Sequence, residues 1–201
     1  MVLCLRHATV EMEPVIHIHE DDWGMRSLYP IEAMPEVDAD LQEAIAAAER
    51  NRVPDGFGWT DIHQIEAPQK DYAQAGLRLS DASDALQAIM PRVSRFNATA
   101  TAGFEPDVHD AWGSYEEGAY CYGYGASCFI KLETDGGLVQ QIWFEGHEPE
   151  TVHIQALRRA IEAIDRIIES MIVDYWQDCA GRVRDPEFFN RYVSLLAGNV
   201  R

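Results

Sequence analysis

The feature that most constrains the fold is the segment AYCYGYGASCFIKLETDGGLVQQIWFEG, residues 119–146. The apolar residues of its first half share one parity, which is strand spacing. The Asp135-Gly136-Gly137 sequence is typical of a tight hairpin turn, because glycine readily adopts the positive φ angles that such turns need. Residues 138–145 are apolar on both faces, which indicates a central strand. The segment therefore predicts an antiparallel hairpin within a sheet.

Three further segments are strand candidates. Residues 15–19, VIHIH, alternate so that the histidines share one face and the isoleucines the other. Residues 95–102, RFNATATA, also alternate: the apolar residues Phe96, Ala98 and Ala100 share one parity, and the polar residues share the other. Residues 59–68, WTDIHQIEAP, predict a short strand that ends at its proline.

Helical spacing appears in four places. Residues 36–51 carry one apolar stripe, and residues 81–90 follow Ser80, a plausible N-cap. The closing segment 186–198 begins with proline, which suits the first turn of a helix. The longest pattern predicts an amphipathic helix over 151–178, and its apolar positions recur at intervals of three and four: Ile154, Leu157, Ile161, Ile164, Ile168, Met171 and Tyr175.

These elements follow the order β-α-β-α-β-β-β-α-α, in which strands and helices do not strictly alternate. The order predicts an α+β fold, a largely antiparallel sheet with helices packed on one face and a long C-terminal amphipathic helix. At 201 residues the chain is expected to form a single domain, 1–201.

Charge narrows the classes of partner. Asp and Glu number 34 against 16 Lys and Arg, a net charge of −18. Binding to nucleic acid or to an anionic membrane surface is disfavoured, because both need clustered basic residues. A basic protein partner would instead be attracted. The alternative explanation of this net charge is that it only keeps the protein soluble.

Localisation is inferred from what the sequence lacks. No apolar run approaches the roughly 18–20 residues that cross a bilayer, and the start, MVLCLRHATVEMEP, has no secretory apolar region. The four cysteines form no CxxC pair, which indicates reduced thiols. We expect a cytoplasmic protein.

The stretch HIHEDDWG, residues 17–24, holds a candidate metal site. His17 and His19 lie on one strand face, and Asp21 or Asp22 would add a carboxylate. This set defines the alternative function, a metal-dependent, hydrolase-like enzyme. The stretch resembles the HxHxD part of the metallo-β-lactamase signature, but that motif ends in His where this chain has Asp22. Other catalytic patterns are lacking, so the leading hypothesis is a non-enzymatic protein without a cofactor.

Three tryptophans occur in short acidic loops that contain glycine: DDWG, DGFGWTD and HDAWGSYEEG. An exposed indole beside carboxylates is typical of an interface hot spot for a basic partner. The alternative, which stays open, is that these rings fold back and only cover the edge of the core. The predicted contact residues are Asp21, Asp22, Trp23, Trp59, Asp110, Trp112, Glu116 and Glu117.

The last third of the chain resembles bacterial polymorphic-toxin immunity proteins. The resemblance is carried by the ETDGGLVQQIWFEG hairpin, the following helical segment ending in IVDYW, and the closing DPEFFNRYV. It implies a non-enzymatic protein that binds a cognate toxin and occludes its active site. It assigns no individual residue a role.

Overall fold

An eight-stranded sheet organises the protein, which we describe from a computed structural model at residues 14–54, 57–99, 115–147 and 150–198. Along the chain, the strands are β1 Val15–His19, β2 Arg26–Pro30, β3 Arg92–Thr99, β4 Glu116–Gly125, β5 Cys128–Asp135, β6 Leu138–Gly146, β7 Ser170–Asp174 and β8 Cys179–Arg182. Across the sheet, they lie side by side in the order β1-β3-β4-β5-β6-β2-β7-β8. The helices are α1 Met34–Asn51, α2 Leu79–Gln87, α3 Thr151–Ile167 and α4 Pro186–Leu196.

Strand pairing confirms the α+β class with a largely antiparallel sheet. Only β1 and β3 pair in parallel among the described strands, and every other pair is antiparallel. The predicted hairpin is β5–β6, and Gly136 and Gly137 at its turn have φ angles of 57° and 84°. β6 lies between β5 and β2, as a strand that is apolar on both faces should.

The helices lie on both faces of the sheet, so the prediction that they share one face is wrong. α2, α3 and α4 cover a core that includes Leu28 and Ile172. α1 packs on the opposite face, against Met171 and Val173. The physical reason is that β7 is buried along its whole length, with successive side chains pointing to opposite sides. Both sides therefore need an apolar cover.

The prediction of a long C-terminal helix is also wrong. α3 ends at Ile167, residues 170–174 form β7, and the C-terminal helix α4 has only 11 residues. A strand that is buried on both faces is apolar at nearly every position, so it also satisfies a helical period. The break is held by Asp165, whose Oδ1 accepts a hydrogen bond from the Ser170 amide at 2.9 Å.

Two other segments differ from the sequence-based expectation. Residues 59–68 do not form a strand, and Trp59 makes only an isolated bridge with Arg52. The pattern did not predict β2, RSLYP, because Arg26 and Pro30 are untypical of a buried strand. In the part of the chain that the structure describes, the helices lack the length and apolar character that membrane crossing requires.

Candidate functional site

An open cleft of 560 Å³ lies at the end of the sheet where β2 begins and β6 and β7 end. Because β2 runs antiparallel to both neighbours, its first residue lies beside their last residues. The β4–β5 turn and the chain after β7 complete the walls. The cleft is lined by Asp22, Arg26, Ala126, Ser127, Glu145, His147, Trp176 and Gln177.

Arg26 forms the base of the cleft and joins two carboxylates. Its Nε donates a hydrogen bond to Asp174 Oδ2 at 2.9 Å, and its Nη1 donates to Glu145 Oε1. The Tyr192 hydroxyl, from α4, donates to the same Asp174 oxygen at 2.9 Å. The Gly146 amide donates to Glu145 Oε1 at 3.0 Å. All three charged side chains are buried, so this network fixes the base of the cleft rigidly.

Negative charge exceeds positive charge at the cleft. Burial raises the pKa of Glu145, the Arg26 guanidinium opposes that rise, and the neighbouring Asp22 adds to it. Burial alone would lower the pKa of Arg26, but Glu145 and Asp174 outweigh it and raise that pKa. Among the described residues that line the cleft, Asp22 and Glu145 carry carboxylates, and the guanidinium of Arg26 is also paired with the buried Asp174 below them. The cleft suits a cationic group.

Two of the predicted tryptophans are exposed to solvent. Trp23 is 43% exposed, and its ring centroid lies 5.1 Å from that of the buried Trp143. Trp23 thus also covers the core, which is the alternative left open by the sequence. Trp59 is 55% exposed, in a loop where Phe57 and Ile62 are exposed as well. This loop follows α1, and its exposed aromatic and aliphatic side chains form an apolar surface outside the cleft.

Trp176 is a residue of the cleft that was not among the contact residues predicted from sequence. Its indole is 49% exposed and lines the cleft. Its local signal is its position in VDYWQD, between two acidic residues, within the segment 151–178 that the apolar spacing predicts to be a helix. Trp176 lies instead in the turn that joins β7 to β8.

The predicted acidic residues are only partly brought together. Asp22 lines the cleft, whereas the exposed Asp21 side chain lies 3.4 Å from His19 Nδ1. Two others are in ion pairs within the chain: Glu116 Oε2 lies 2.9 Å from Lys131 Nζ, and Glu117 Oε1 lies 3.0 Å from Arg95 Nε. Asp110 and Trp112 lie outside the described residues.

Lys131 links Trp23 to Glu116. The lysine is completely buried, and its Nζ lies 2.6 Å from Glu133 Oε1 and 5.3 Å from the centroid of the Trp23 ring. A buried ammonium needs such carboxylates and aromatic faces to offset its lost hydration. The two predicted contact residues therefore surround one buried cation.

The candidate metal ligands have other partners. His17 Nε2 lies 2.8 Å from Thr99 Oγ1, and His19 Nδ1 accepts a hydrogen bond from the Asp21 amide. Among residues 14–54, 57–99, 115–147 and 150–198, no three His, Cys, Asp or Glu side chains are grouped so as to hold a metal ion. The metal-dependent enzyme stays a prediction from sequence.

The two central cysteines are not activated nucleophiles. Cys121 and Cys128 are buried, and burial raises the pKa of Cys128 to about 12 and that of Cys121 further. A nucleophilic thiol needs the opposite shift.

Comparisons of the chain with protein families, with curated proteins and with solved structures found no match.

Proposed function

We propose that the protein is a non-enzymatic, acidic binding protein that neutralises a basic protein partner. The observation that carries the proposal is the cleft: an excess of carboxylate around Arg26, with the exposed Trp176 indole at its wall. The exposed Trp23 directly follows Asp22 and extends the same kind of surface. Indoles next to carboxylates combine apolar contact with pairing to Lys or Arg.

The nature of the partner follows from the charge and from the resemblance stated above. A net charge of −18 speeds the encounter with a basic protein. The resemblance to immunity proteins suggests that this partner is a toxin whose active site the protein would occlude. Binding would take place in the cytoplasm of a bacterium.

The test is direct binding to the proteins encoded beside the gene for this chain. The immobilised protein is offered each candidate at NaCl concentrations from about 0.05 M to about 0.5 M. We expect stable binding of one basic protein, with an affinity that falls steeply as salt is added. If no candidate binds, or if salt does not weaken the binding, the proposal is wrong.

Two variants locate the contact surface. Trp176→Ala removes the indole from the cleft and should weaken binding about tenfold or more, as expected for an interface hot spot. Ile167→Ala is the matched control, because Ile167 is also partly exposed but lies beside Pro30, at the opposite end of β2. An equal effect of both substitutions would exclude the cleft as the contact surface.

A further inference from the structure

We propose that the cleft accepts an arginine side chain of the partner, held between Asp22 and Glu145 and against the ring of Trp176. This inference deepens the proposed function, on which it rests, by naming the chemical group that enters the site. It is carried by the hydrogen-bonding capacity left in the cleft, by the exposed ring and by the charge.

The cleft contains acceptor atoms that the chain itself does not use. Glu145 uses Oε1 for Arg26 and for the Gly146 amide, and its Oε2 makes no hydrogen bond with the described residues. The Asp22 carboxylate is likewise without a hydrogen bond there. Asp22 and Glu145 line the same cleft, and the negative charge of Asp22 contributes to the raised pKa of Glu145. A cation between them would offset this negative charge.

Trp176 distinguishes a guanidinium from an ammonium group. The exposed ring lines the cleft, and a planar guanidinium can stack on indole while its edge donates to carboxylates. A lysine ammonium is more strongly hydrated and cannot make the same flat contact. The arrangement of two acceptors and one indole therefore favours arginine over lysine.

Arg26 adds a complementary donor. Its Nε and Nη1 are engaged by Asp174 and Glu145, whereas its Nη2 makes no hydrogen bond with the described residues. Nη2 therefore keeps hydrogen-bonding capacity that the described residues do not use. It can donate to a backbone carbonyl next to the entering arginine. A cleft of 560 Å³ has room for this backbone as well.

The experiment uses N-acetyl-arginine amide as the probe and the full chain labelled with ¹⁵N at its tryptophan indoles. The Trp176 signal is assigned by its loss in Trp176→Phe. We expect a saturable shift of that signal with the arginine probe, binding at least about fivefold weaker with N-acetyl-lysine amide, and no saturable shift with the uncharged citrulline analogue.

A conservative variant tests the acceptors. Asp22→Asn should weaken the arginine probe at least about fivefold, and it should not disturb folding because the Asp22 carboxylate has no hydrogen bond within the described residues. Asp61→Asn is the control, since Asp61 stands beside the exposed Trp59 outside the cleft. Equal shifts with arginine and citrulline probes, or an unchanged affinity in Asp22→Asn, would overturn the inference.

The failure of this inference can be told apart from failure of the proposed function. If a basic partner binds in a salt-dependent manner but the arginine probe neither binds nor displaces it, the inference falls and the proposed function stands. If the probe saturates the cleft but no basic partner binds, the proposed function falls and the arginine site stands.

Discussion

At the scale of single residues, Arg26 determines how this end of the molecule is built. It begins β2, and it bonds to Glu145 at the end of β6 and to Asp174 at the end of β7. Tyr192 ties α4 into the same network through Asp174, which is completely buried. One side chain thus connects three strands and a helix below the cleft.

Replacing Arg26 with Met should destabilise the fold strongly. The substitution keeps the apolar stem but leaves Asp174 and Glu145 buried without their cation, at a cost of about 3–5 kcal/mol. Arg50→Met is the matched control, because Arg50 pairs with Glu43 on an exposed helix surface, and it should cost less than about 1 kcal/mol. Urea unfolding of the two variants measures both values. Similar values for the two would mean that the buried network does not stabilise the fold.

At the scale of elements, the junction of α3 and β7 separates two segments that share one apolar period. The α3 residue Asp165 reaches forward to the Ser170 amide, and its Oδ2 accepts a hydrogen bond from Arg184 Nε at 3.0 Å. Ser170 Oγ in turn donates to the carbonyl oxygen of Ile168. These bonds replace the helical bonds that would otherwise continue α3.

Replacing Asp165 with Ala should therefore destabilise the protein by about 1–3 kcal/mol, because the buried Ser170 amide loses its acceptor. Glu162→Ala, on the same helix, removes only a partly exposed pair with Arg158 and should cost about 0.5 kcal/mol. Thermal or urea unfolding compares them. Equal losses in the two variants would show that the junction does not depend on Asp165.

At the scale of the whole molecule, the net charge of −18 acts on folding and on binding in opposite directions. The negative charge attracts a basic partner, but the excess carboxylates also repel one another within the folded chain and lower its stability. Dissolved salt screens both effects over distances of about 10 Å. The same salt should weaken the complex and stabilise the free protein.

We expect the melting temperature of the free protein to rise by a few degrees as NaCl increases from about 0.02 M to about 0.2 M. Differential scanning fluorimetry measures it, and Na₂SO₄ at the same ionic strength is the control that identifies screening as the cause. A melting temperature that stays constant or falls would show that repulsion between the carboxylates does not limit stability.

The elements predicted correctly from sequence depend on neighbours in the chain. The turn at Asp135-Gly136-Gly137 requires only local backbone angles, and the alternation in β1 buries Ile16 and Ile18 as expected. Helix α4 begins at the predicted proline, with the Asp185 side chain accepting hydrogen bonds from the amides of Glu187 and Phe188. Local sequence patterns were sufficient to predict these elements because the interactions that form them join residues only a few positions apart.

The candidate site required contacts that span the chain. Arg26 meets Glu145 and Asp174 only because β2 inserts between β6 and β7, which are far from it in sequence. The same insertion creates the cleft and places Trp176 in a turn. By itself, the sequence determined the acidic character, the hairpin and most of the helices, through local spacing and composition. The tertiary structure alone decided where α3 ends and which charges meet, because burial and long-range strand pairing override local periodicity.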